Sequence, residues 1–578
     1  MSKRITLKRL ANAGLTHSRT LIRNQITQTL RPINISSANR PNEFLTQQVK
    51  IHNANKTLGQ PILKGHFAFA DERIDVGAQG DPWTIALPSQ RFAGWLHSFN
   101  WLPHLLAVPE KSAALHARLL VDRWIAVYGQ FNVFAWHPEH ITERLYHWLA
   151  LWAPAMSADS KNEIAQKRRN SVLKQLKFLR QSYPHMDNSL PRLHAAITLS
   201  MGGARLMEKA EDYLALGLDW LDDEVEAQIL PDGGHISRSP EITFQVFRRL
   251  QTLATLLKAR GIACSNIMER ALNRLAHMVA FFQLSDNALA IFNGGGEENA
   301  NCIKKALKAH TKPTKSFGYC PHMKYQRISH EGTVLIVDTG GPPPPGFDTH
   351  AHLAPLAFNL ATPAGRLIVN CGWSEEQPYH WKQAVRATAA HSTLTLNAQS
   401  AGHIVDSGLP QKWLGHAIET GAQNVKAFRK EQSKGVWLET SHDGYRDLTG
   451  LMHNRRLYMS LDGTDLRGED SLAVPLGAVP LSREKIPFTL RFHLHPSVKV
   501  TLAQDHKSAL LIQPGNEGWR FRTDVGPLTL EPSFYLGSGT KPIKSEQIVI
   551  SGAAFADGDG EAQSNRVRWS FKRMESRA

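Results

Sequence analysis

The chain has 578 residues, 42% of them hydrophobic and 20% charged, which predicts two or three packed domains and excludes wholesale disorder. Lysine and arginine number 67 against 51 acidic residues, so the formal charge of +16 favours acidic partners: nucleic acid, anionic membrane surfaces or polyanionic substrates. The four cysteines form no Cys-x-x-Cys pair, and no apolar run approaches ~18 residues, so neither a cysteine-rich scaffold nor a transmembrane segment is expected.

The first 40 residues hold half of the excess charge. They contain eight lysine and arginine residues and no acidic residue. Charged side chains interrupt the apolar positions every few residues, so no secretory signal peptide is visible. This pattern is typical of a basic arm or a short amphipathic helix on the surface, and a surface-binding or targeting role stays open. We predict a basic, partly disordered N-terminal arm over residues 1–65.

From about residue 90 to residue 283, apolar residues recur at the helical spacing of three and four. The pattern is interrupted at Gly202-Gly203 and at the turn Pro231–Gly234. Because the links between the predicted helices are short, they should form antiparallel helical hairpins, which can close into a toroid or extend as a solenoid. We predict a helical domain over residues 66–285.

Beyond residue 285 the pattern becomes that of β-strands. Short segments rich in Val, Ile, Leu, Thr and aromatic residues alternate with Gly, Pro, Asn and Asp. No predicted helix separates these segments, so the sheets should be antiparallel and layered. We predict an antiparallel β-sandwich domain over residues 286–578.

Histidine is the most informative residue type for chemistry. The sequence lacks the common nucleotide-binding, zinc-protease and serine-hydrolase motifs, but it has 27 histidines and two His-x-His pairs, His350/His352 and His493/His495. Alternate residues of a strand face the same side, so each pair presents two imidazoles together. The first pair suits a metal, a metal ligand beside an acid/base group, or two structural histidines. His391 enters another strand and could meet this pair.

Two regions of the sequence carry a family resemblance. The β-type region contains THAHLAPLAFNLATPAGRLIVNCGW and WKQAVRATAAHSTLTLN, and the helical region contains ILPDGGHISRSP. In this order and spacing they resemble the heparinase II/III-like polysaccharide lyases, over roughly residues 90–555. The resemblance implies an N-terminal α/α toroid followed by a C-terminal antiparallel β-sandwich. It also implies β-elimination of uronate-containing acidic polysaccharide of the heparin or heparan kind.

Such an elimination needs a group that neutralises the uronate carboxylate, a base for the C5 proton and an acid for the departing O4. By the resemblance, Asn188 matches the family's carboxylate-binding asparagine and His350 its β-domain catalytic histidine. Ser189 stands where the family has a second histidine, and Ile242 where it has a proton-transferring tyrosine. The candidate substitutes for that tyrosine are Tyr183, Tyr213, Tyr379 and His235.

Three further basic residues are candidate substrate-binding groups: Arg238, His235 and Arg386. Arginine suits anionic sugar groups, although ordinary structural ion pairs are the alternative interpretation. By the resemblance, His352 and His391 match two metal-binding histidines, while Asn370 replaces the metal aspartate with a weaker, neutral ligand. Zinc is therefore the possible cofactor, held weakly if at all.

The sequence thus predicts a polysaccharide lyase whose partner is an acidic polysaccharide. The alternative is a catalytically impaired carbohydrate-binding protein of the same fold, which Ile242 and Asn370 favour. A nucleic-acid or membrane-surface protein acting through residues 1–40 is a third interpretation, but aromatic-rich basic stripes and named motifs are absent, so no nucleic-acid partner is expected. The resemblance places the protein in the cell envelope or periplasm, with the cytoplasm as the alternative. The sugar, the mode of cleavage and the oligomeric state stay open.

Overall fold

The computed structural model describes residues 54–156, 163–206, 211–310, 316–476, 484–537, 541–555 and 565–575, together with scattered positions between and before them. The chain divides into two compact units. A helical unit extends to Ile229 and includes Gln245–Asn273, and a sheet unit comprises Leu230–Phe244 and the chain from Arg274 onwards. Most of the predicted basic arm lies outside the described residues. The predicted domain limits at residues 65 and 285 stay predictions.

Helices dominate the chain up to residue 309. They are α1 Lys56–Leu63, α2 Gln90–His97, α3 Leu102–Leu106, α4 Lys111–Tyr128, α5 Pro138–Ala150, α6 Trp152–Met156, α7 Glu163–Ser182, α8 Leu190–Arg205, α9 Glu211–Gln228, α10 Pro240–Ala259, α11 Asn266–Phe282 and α12 Ala300–Ala309. One short antiparallel hairpin, β1 His66–Phe69 with β2 Glu72–Asp75, interrupts them.

The starts and buried faces of these helices follow from the sequence. Ser89 caps α2, its Oγ accepting a hydrogen bond from Phe92 N at 3.1 Å, and Pro138 occupies the first position of α5. Trp124 and Trp148 are fully buried and meet edge to face, with ring centroids 5.5 Å apart. Within the described residues, no helix is long and apolar enough to cross a membrane.

The sheet unit contains two large antiparallel sheets. Its strands are β3 Tyr319–Cys320, β4 Tyr325–His330, β5 Thr333–Asp338, β6 Phe358–Thr362, β7 Gly365–Val369, β8 Leu394–Leu396, β9 Gly402–Ile404, β10 Ile418–Gly421, β11 Val425–Gln432, β12 Gly435–His442, β13 Met452–Ser460, β14 Asp465–Ala473, β15 Lys485–Leu494, β16 Lys499–Leu502, β17 Ser508–Ile512, β18 Gly518–Thr523, β19 Leu528–Tyr535, β20 Ile543–Phe555 and β21 Arg566–Arg573. Short helices α13 Tyr379–Ala384, α14 Gly408–Leu414 and α15 Arg446–Thr449 lie between strands.

The nine-stranded sheet has the order β19-β20-β15-β7-β6-β5-β4-β3, with β8 paired to β15, and the eight-stranded sheet has the order β11-β12-β13-β14-β21-β18-β17-β16. Their inner faces form one apolar core, in which Phe358 of the first sheet stacks on Trp569 of the second at 5.8 Å. The prediction of a helical region followed by antiparallel β-layers is confirmed, and closure of the helices into a toroid stays a prediction.

Candidate active site

Two loops of the nine-stranded sheet carry most of the predicted site residues. The loop between β5 and β6 carries His350 and His352, and the loop between β7 and β8 carries Asn370, Arg386 and His391. Both loops leave the sheet from neighbouring strands, because β6 pairs with β5 and with β7. The topology therefore brings together residues that are up to 41 positions apart in the sequence.

Arg386 joins the two loops. Its guanidinium is fully buried and donates hydrogen bonds to three backbone carbonyl oxygens: Ala351 at 2.8 Å, Asp348 at 3.1 Å and His416 at 2.7 Å. Burial lowers the pKa of Arg386 to about 10, within the range where the group stays charged at neutral pH. The structure therefore gives Arg386, a predicted substrate-binding residue, the role of fixing the backbone on both sides of His350.

His350 lies on an aromatic surface beside a carboxylate. Its side chain is 45% exposed, and its ring is 5.0 Å from that of the buried Trp373. Nδ1 of His350 is 3.3 Å from Oε1 of Glu375, which also accepts a hydrogen bond from Trp373 Nε1 at 3.3 Å. Because Nδ1 faces the carboxylate, Nε2 is the ring nitrogen that can accept a proton.

A lysine completes this group. Lys382, on α13, places Nζ 2.5 Å from Oε2 of Glu375 and 5.6 Å from the Trp373 ring centroid. Partial burial lowers the pKa of His350, and the positive charges of Lys382 and Arg386 act in the same direction, while Glu375 opposes them. Burial acts to raise the pKa of Glu375, but His350 and Lys382 lower it overall. The site therefore holds a neutral imidazole beside an ionised carboxylate at neutral pH.

The glycine run after residue 293 fits closely against this group. Gly294 has φ of +77°, and a Cβ at this position would lie 2.6 Å from Cβ of His350. The backbone N of Gly294 donates a hydrogen bond to Nε2 of His352 at 2.9 Å. A glycine at position 294 therefore lets the backbone approach both histidines.

His352 and His391, the predicted metal-binding histidines, are hydrogen bonded to each other. Nδ1 of His352 and Nε2 of His391 are 2.7 Å apart, and Nδ1 of His391 is 2.9 Å from the carbonyl oxygen of Ala387. The carbonyl can only accept, so His391 carries its proton on Nδ1 and accepts at Nε2 from His352. Since Gly294 N–H donates to the remaining nitrogen of His352, both rings are neutral and all four ring nitrogens are engaged.

Both polar atoms of the Asn370 side-chain amide also form hydrogen bonds. Its Nδ2 donates to the Ile291 carbonyl oxygen at 3.0 Å, and its Oδ1 accepts from Ser392 N at 3.1 Å. Burial lowers the pKa of His391 to about 4 and that of His352 well below its usual value, which keeps both rings neutral. The described residues contain no cluster of three or more His, Cys, Asp or Glu suited to a metal. The predicted zinc ligands therefore do not fit a bound metal ion.

Arg238 and His235 also lie inside the sheet unit. Arg238 forms a buried ion pair with Asp338, donates to the Met323 carbonyl oxygen at 3.0 Å, and lies over the Tyr325 ring at 4.9 Å. His235 is fully buried, with Nδ1 2.8 Å from Ser237 Oγ. The contacts of Arg238 anchor the segment Leu230–Phe244 to the sheet, whereas His235 contacts Ser237 within that segment.

Asn188 belongs to the helical unit, in the exposed turn before α8. Near it, Tyr183 is buried and stacks on Trp220 at 4.1 Å, with its hydroxyl 3.2 Å from Glu224 Oε1. Burial and the charge of Glu224 raise the pKa of Tyr183, so this tyrosine stays protonated at neutral pH. Whether Asn188 acts together with His350 stays a prediction.

The other predicted substitutes for the missing tyrosine differ in accessibility. Burial raises the pKa of Tyr213, whose ring lies 5.4 Å from the Arg180 guanidinium. Tyr379 is 44% exposed at the start of α13, with its hydroxyl 3.0 Å from Nδ1 of His416. Ile242 itself is half-buried near the start of α10. Tyr379 is therefore the exposed candidate that lies on the same loop as Glu375.

The sequence interpretation missed Trp373, Glu375 and Lys382. All three lie on the loop that carries the predicted Arg386 and His391, in the stretch GWSEEQPYHWK. A carboxylate on a loop expected to approach a catalytic histidine is a signal for an orienting partner, because a base needs its second ring nitrogen held. The sequence alone does not distinguish Glu375 from the neighbouring Glu376.

Two family models, both of heparinase II/III type, together match most of the chain. The Heparinase II/III N-terminus model matches residues 124–319, and the Heparinase II/III-like, C-terminal model matches residues 312–570. FtsZ-localized protein C of Caulobacter vibrioides (strain NA1000 / CB15N) is 34% identical over 522 residues, which cover 89% of this chain and 88% of that protein.

Solved structures share the fold at low sequence identity. A crystal structure of heparinase III matches with a TM-score of 0.68 and 14% identity, covering 93% of this chain and 88% of that one. A mutant of the heparan sulfate lyase HepC from Pedobacter heparinus matches with a TM-score of 0.61 and 13% identity, covering 92% and 86%.

Proposed function

This chain belongs to the heparinase II/III-like family, and we propose that it is a lyase that cleaves uronate-containing acidic polysaccharide of the heparin or heparan kind by β-elimination. The observation that carries the proposal is the half-exposed His350, oriented by Glu375 on the surface of Trp373. An imidazole held at Nδ1 and open at Nε2 is suited to removing a weakly acidic C–H proton near pH 7. The shared fold with solved heparan sulfate lyases supports the substrate class.

The reaction breaks the C5–H and C4–O4 bonds of the uronate and forms a C4–C5 double bond. Nε2 of His350 takes the C5 proton, and Glu375 stabilises the resulting imidazolium through Nδ1–H. The electron pair of the C4–O4 bond leaves with O4, which then takes the proton from Nε2 of His350. The ammonium of Lys382 supplies positive charge for the substrate carboxylate as the carbanion-like transition state develops.

The experiment is direct, because elimination creates a double bond that absorbs in the ultraviolet. The full chain is incubated with heparin, heparan sulfate, polygalacturonate and alginate, and absorbance is followed with time. We expect product from at least one of these polymers. If none yields unsaturated product under conditions in which heparinase III is active, the lyase proposal fails.

The identity with FtsZ-localized protein C favours a second candidate. In this second candidate function, the chain binds its polysaccharide without cleaving it and localises with FtsZ. Ile242 in place of a tyrosine, and Asn370 in place of an aspartate, support it. A fluorescent fusion of the full chain, imaged with labelled FtsZ, tests it: coincident signals without unsaturated product support this candidate, and a signal independent of FtsZ contradicts it.

Localisation at the cell envelope or in the periplasm is proposed together with the lyase function, because a lyase must meet its polysaccharide where that polymer is accessible. Cell fractionation followed by immunoblotting of the full chain tests the proposal. Recovery with the envelope or periplasmic fraction supports it, and recovery in the cytoplasmic fraction alone contradicts it.

A further inference from the structure

The outer face of the eight-stranded sheet, away from the apolar core, has a distinctive composition. Cross-strand pairing places one residue from each of seven strands side by side, and we call this line the cross-strand row. Its members, in order, are Lys430, Trp437, Tyr458, Arg467, Ser570, Arg522 and Ser508. Neighbouring strands lie about 4.8 Å apart, so the row spans roughly 30 Å.

This face is strongly basic. On the outward-facing positions of β11, β12, β13, β14, β18 and β21, all of them described, nine cationic side chains accompany three acidic ones. The acidic side chains are paired with arginines, as in Arg467–Asp465 at 2.6 Å and Arg568–Glu469 at 2.8 Å. The surplus of positive charge therefore attracts anions to the face.

Aromatic side chains lie within the same row. The rings of Trp437 and Tyr458 have centroids 4.8 Å apart, and the Arg467 guanidinium lies over Tyr458 at 5.6 Å. Phe428, on β11, is 64% exposed. Around these residues are two depressions of about 570 and 740 Å³, which share Arg456 and Glu469 in their linings. The face therefore offers an extended groove with flat apolar surfaces and cationic groups.

We infer that this face binds an extended anionic polysaccharide at a place distinct from the His350 site. Sugar rings present apolar C–H faces that pack on aromatic side chains, while guanidinium groups bind carboxylate or sulfate in a two-pronged geometry. The choice of polysaccharide rests on the proposed function, because the same groups would attract single-stranded nucleic acid. A peptide that extended the sheet would pair with an edge strand, whereas this row crosses the strands.

The test uses binding rather than turnover. Fluorescently labelled heparin oligosaccharides are titrated against the full chain, the double variant Arg467→Ala/Arg522→Ala, and a charge-matched control, Lys304→Ala/Lys305→Ala on α12, whose side chains are exposed. We expect the double variant Arg467→Ala/Arg522→Ala, which we call the row variant, to bind at least ten-fold more weakly than the control. Its slope of log affinity against log salt should fall by roughly two, because two ionic contacts are lost.

A second variant separates stacking from charge. Trp437→Ala should weaken heparin binding several-fold and leave the salt slope unchanged, because it removes packing and no charge. Heparin binding by the row variant equal to that of the control would overturn the inference. The inference would also be overturned if the parent chain bound a single-stranded oligonucleotide more tightly than it bound heparin of equal charge. Comparing the melting temperatures of the variants with that of the parent chain detects a folding defect. The single variant Arg522→Ala changes one exposed side chain and serves as a milder test of the same contact.

The outcomes distinguish this inference from the proposed lyase function. If the parent chain binds heparin through the row but gives no unsaturated product from any polymer, the lyase proposal fails and the inference stands. If the parent chain cleaves a polymer and the row variant binds it as tightly as the control does, the inference alone fails.

Discussion

At the scale of single residues, His350 is the group on which the proposed chemistry depends. Removing one positioned acid/base group typically costs about 10²- to 10⁴-fold in rate. We therefore expect His350→Ala to lose turnover by this factor, measured by ultraviolet absorbance, and to keep its affinity for heparin. His403→Ala, which changes an exposed histidine on β9, is the control and should keep full turnover. Turnover by His350→Ala equal to that of the control would move the base elsewhere, with Tyr379 next.

Glu375 should set the pH range of the reaction. The base acts as a neutral imidazole, so turnover is lost as pH falls through the pKa of His350. Glu375 raises that pKa, so Glu375→Gln lowers it further and should move the acid limb of the kcat/KM profile to lower pH. Glu376→Gln, one residue along the loop, is the matched control. An acid limb that stays in place in Glu375→Gln would show that the carboxylate does not orient the base.

The pair His352 and His391 predicts that the protein does not depend on a metal. All four ring nitrogens are engaged in hydrogen bonds, so a chelator has no bound ion to remove. We expect EDTA, followed by dialysis, to leave the melting temperature unchanged, and elemental analysis to find less than one zinc per chain. Stoichiometric zinc that survives dialysis, together with a lower melting temperature after chelation, would show that the hydrogen-bonded arrangement is not the resting state.

At the scale of elements, a buried histidine pair links three strands of the eight-stranded sheet. Gly444 N donates to Nδ1 of His442, Nε2 of His442 lies 3.1 Å from Nδ1 of His453, and Nε2 of His453 lies 2.6 Å from Asp470 Oδ1. Burial lowers the pKa values of both histidines in the folded state. In the unfolded chain these two histidines bind protons below about pH 6.5, whereas in the folded chain they stay neutral. Their contribution to the stability of the fold is therefore complete above that pH and is lost progressively as the pH falls below it.

This coupling gives a stability prediction. Between pH 7 and pH 5 the melting temperature should fall, each such histidine contributing up to about 1.4 kcal/mol per pH unit below its unfolded pKa. His442→Gln keeps a donor for His453 but does not titrate, so its melting temperature should depend less steeply on pH. His506→Gln, in an exposed loop, should behave like the parent. Identical pH slopes in both variants would contradict the assignment.

Element types were predictable because they depend on local periodicity, whereas the groups that span elements were not. The expectation that aromatic-rich basic stripes are absent is correct along the chain and wrong across the strands. Lys430 and Ser570 stand 140 positions apart in the sequence and lie in the same cross-strand row. Strand register decides which side chains share a line, and register follows from turns and core packing.

The difference between local pattern and long-range contact also explains which predictions about the site residues succeeded. His352 and His391 were expected together and are in contact, because a family motif fixed their spacing. Arg238 and Arg386 were expected at a substrate surface, but Arg238 pairs with Asp338 and both arginines donate to backbone carbonyls of distant loops. Periodicity and residue type do not reveal such pairings, since an arginine that binds a sugar and one that anchors a loop look alike in sequence.

At the scale of the whole molecule, the positive charge is concentrated in particular places. Eight of the 67 lysine and arginine residues lie in the first 40 residues, and nine more lie on the outer face of the eight-stranded sheet. The His350 site, by contrast, pairs its lysine with a carboxylate. In the proposed function, attraction of a long polyanion and the chemistry on one uronate therefore belong to different parts of the sheet unit.

This separation predicts that the response to substrate length distinguishes the two sites. A long chain that contacts the outer face raises its own effective concentration at the His350 site, whereas a tetrasaccharide that occupies the His350 site has no further sugars to place on the outer face. We expect Arg467→Ala/Arg522→Ala to raise KM for long heparin chains about ten-fold, with kcat/KM for tetrasaccharides unchanged. His350→Ala should instead lose turnover at every length. Equal losses on short and long substrates in the row variant would mean that the outer face acts through the stability of the fold and not by holding the chain.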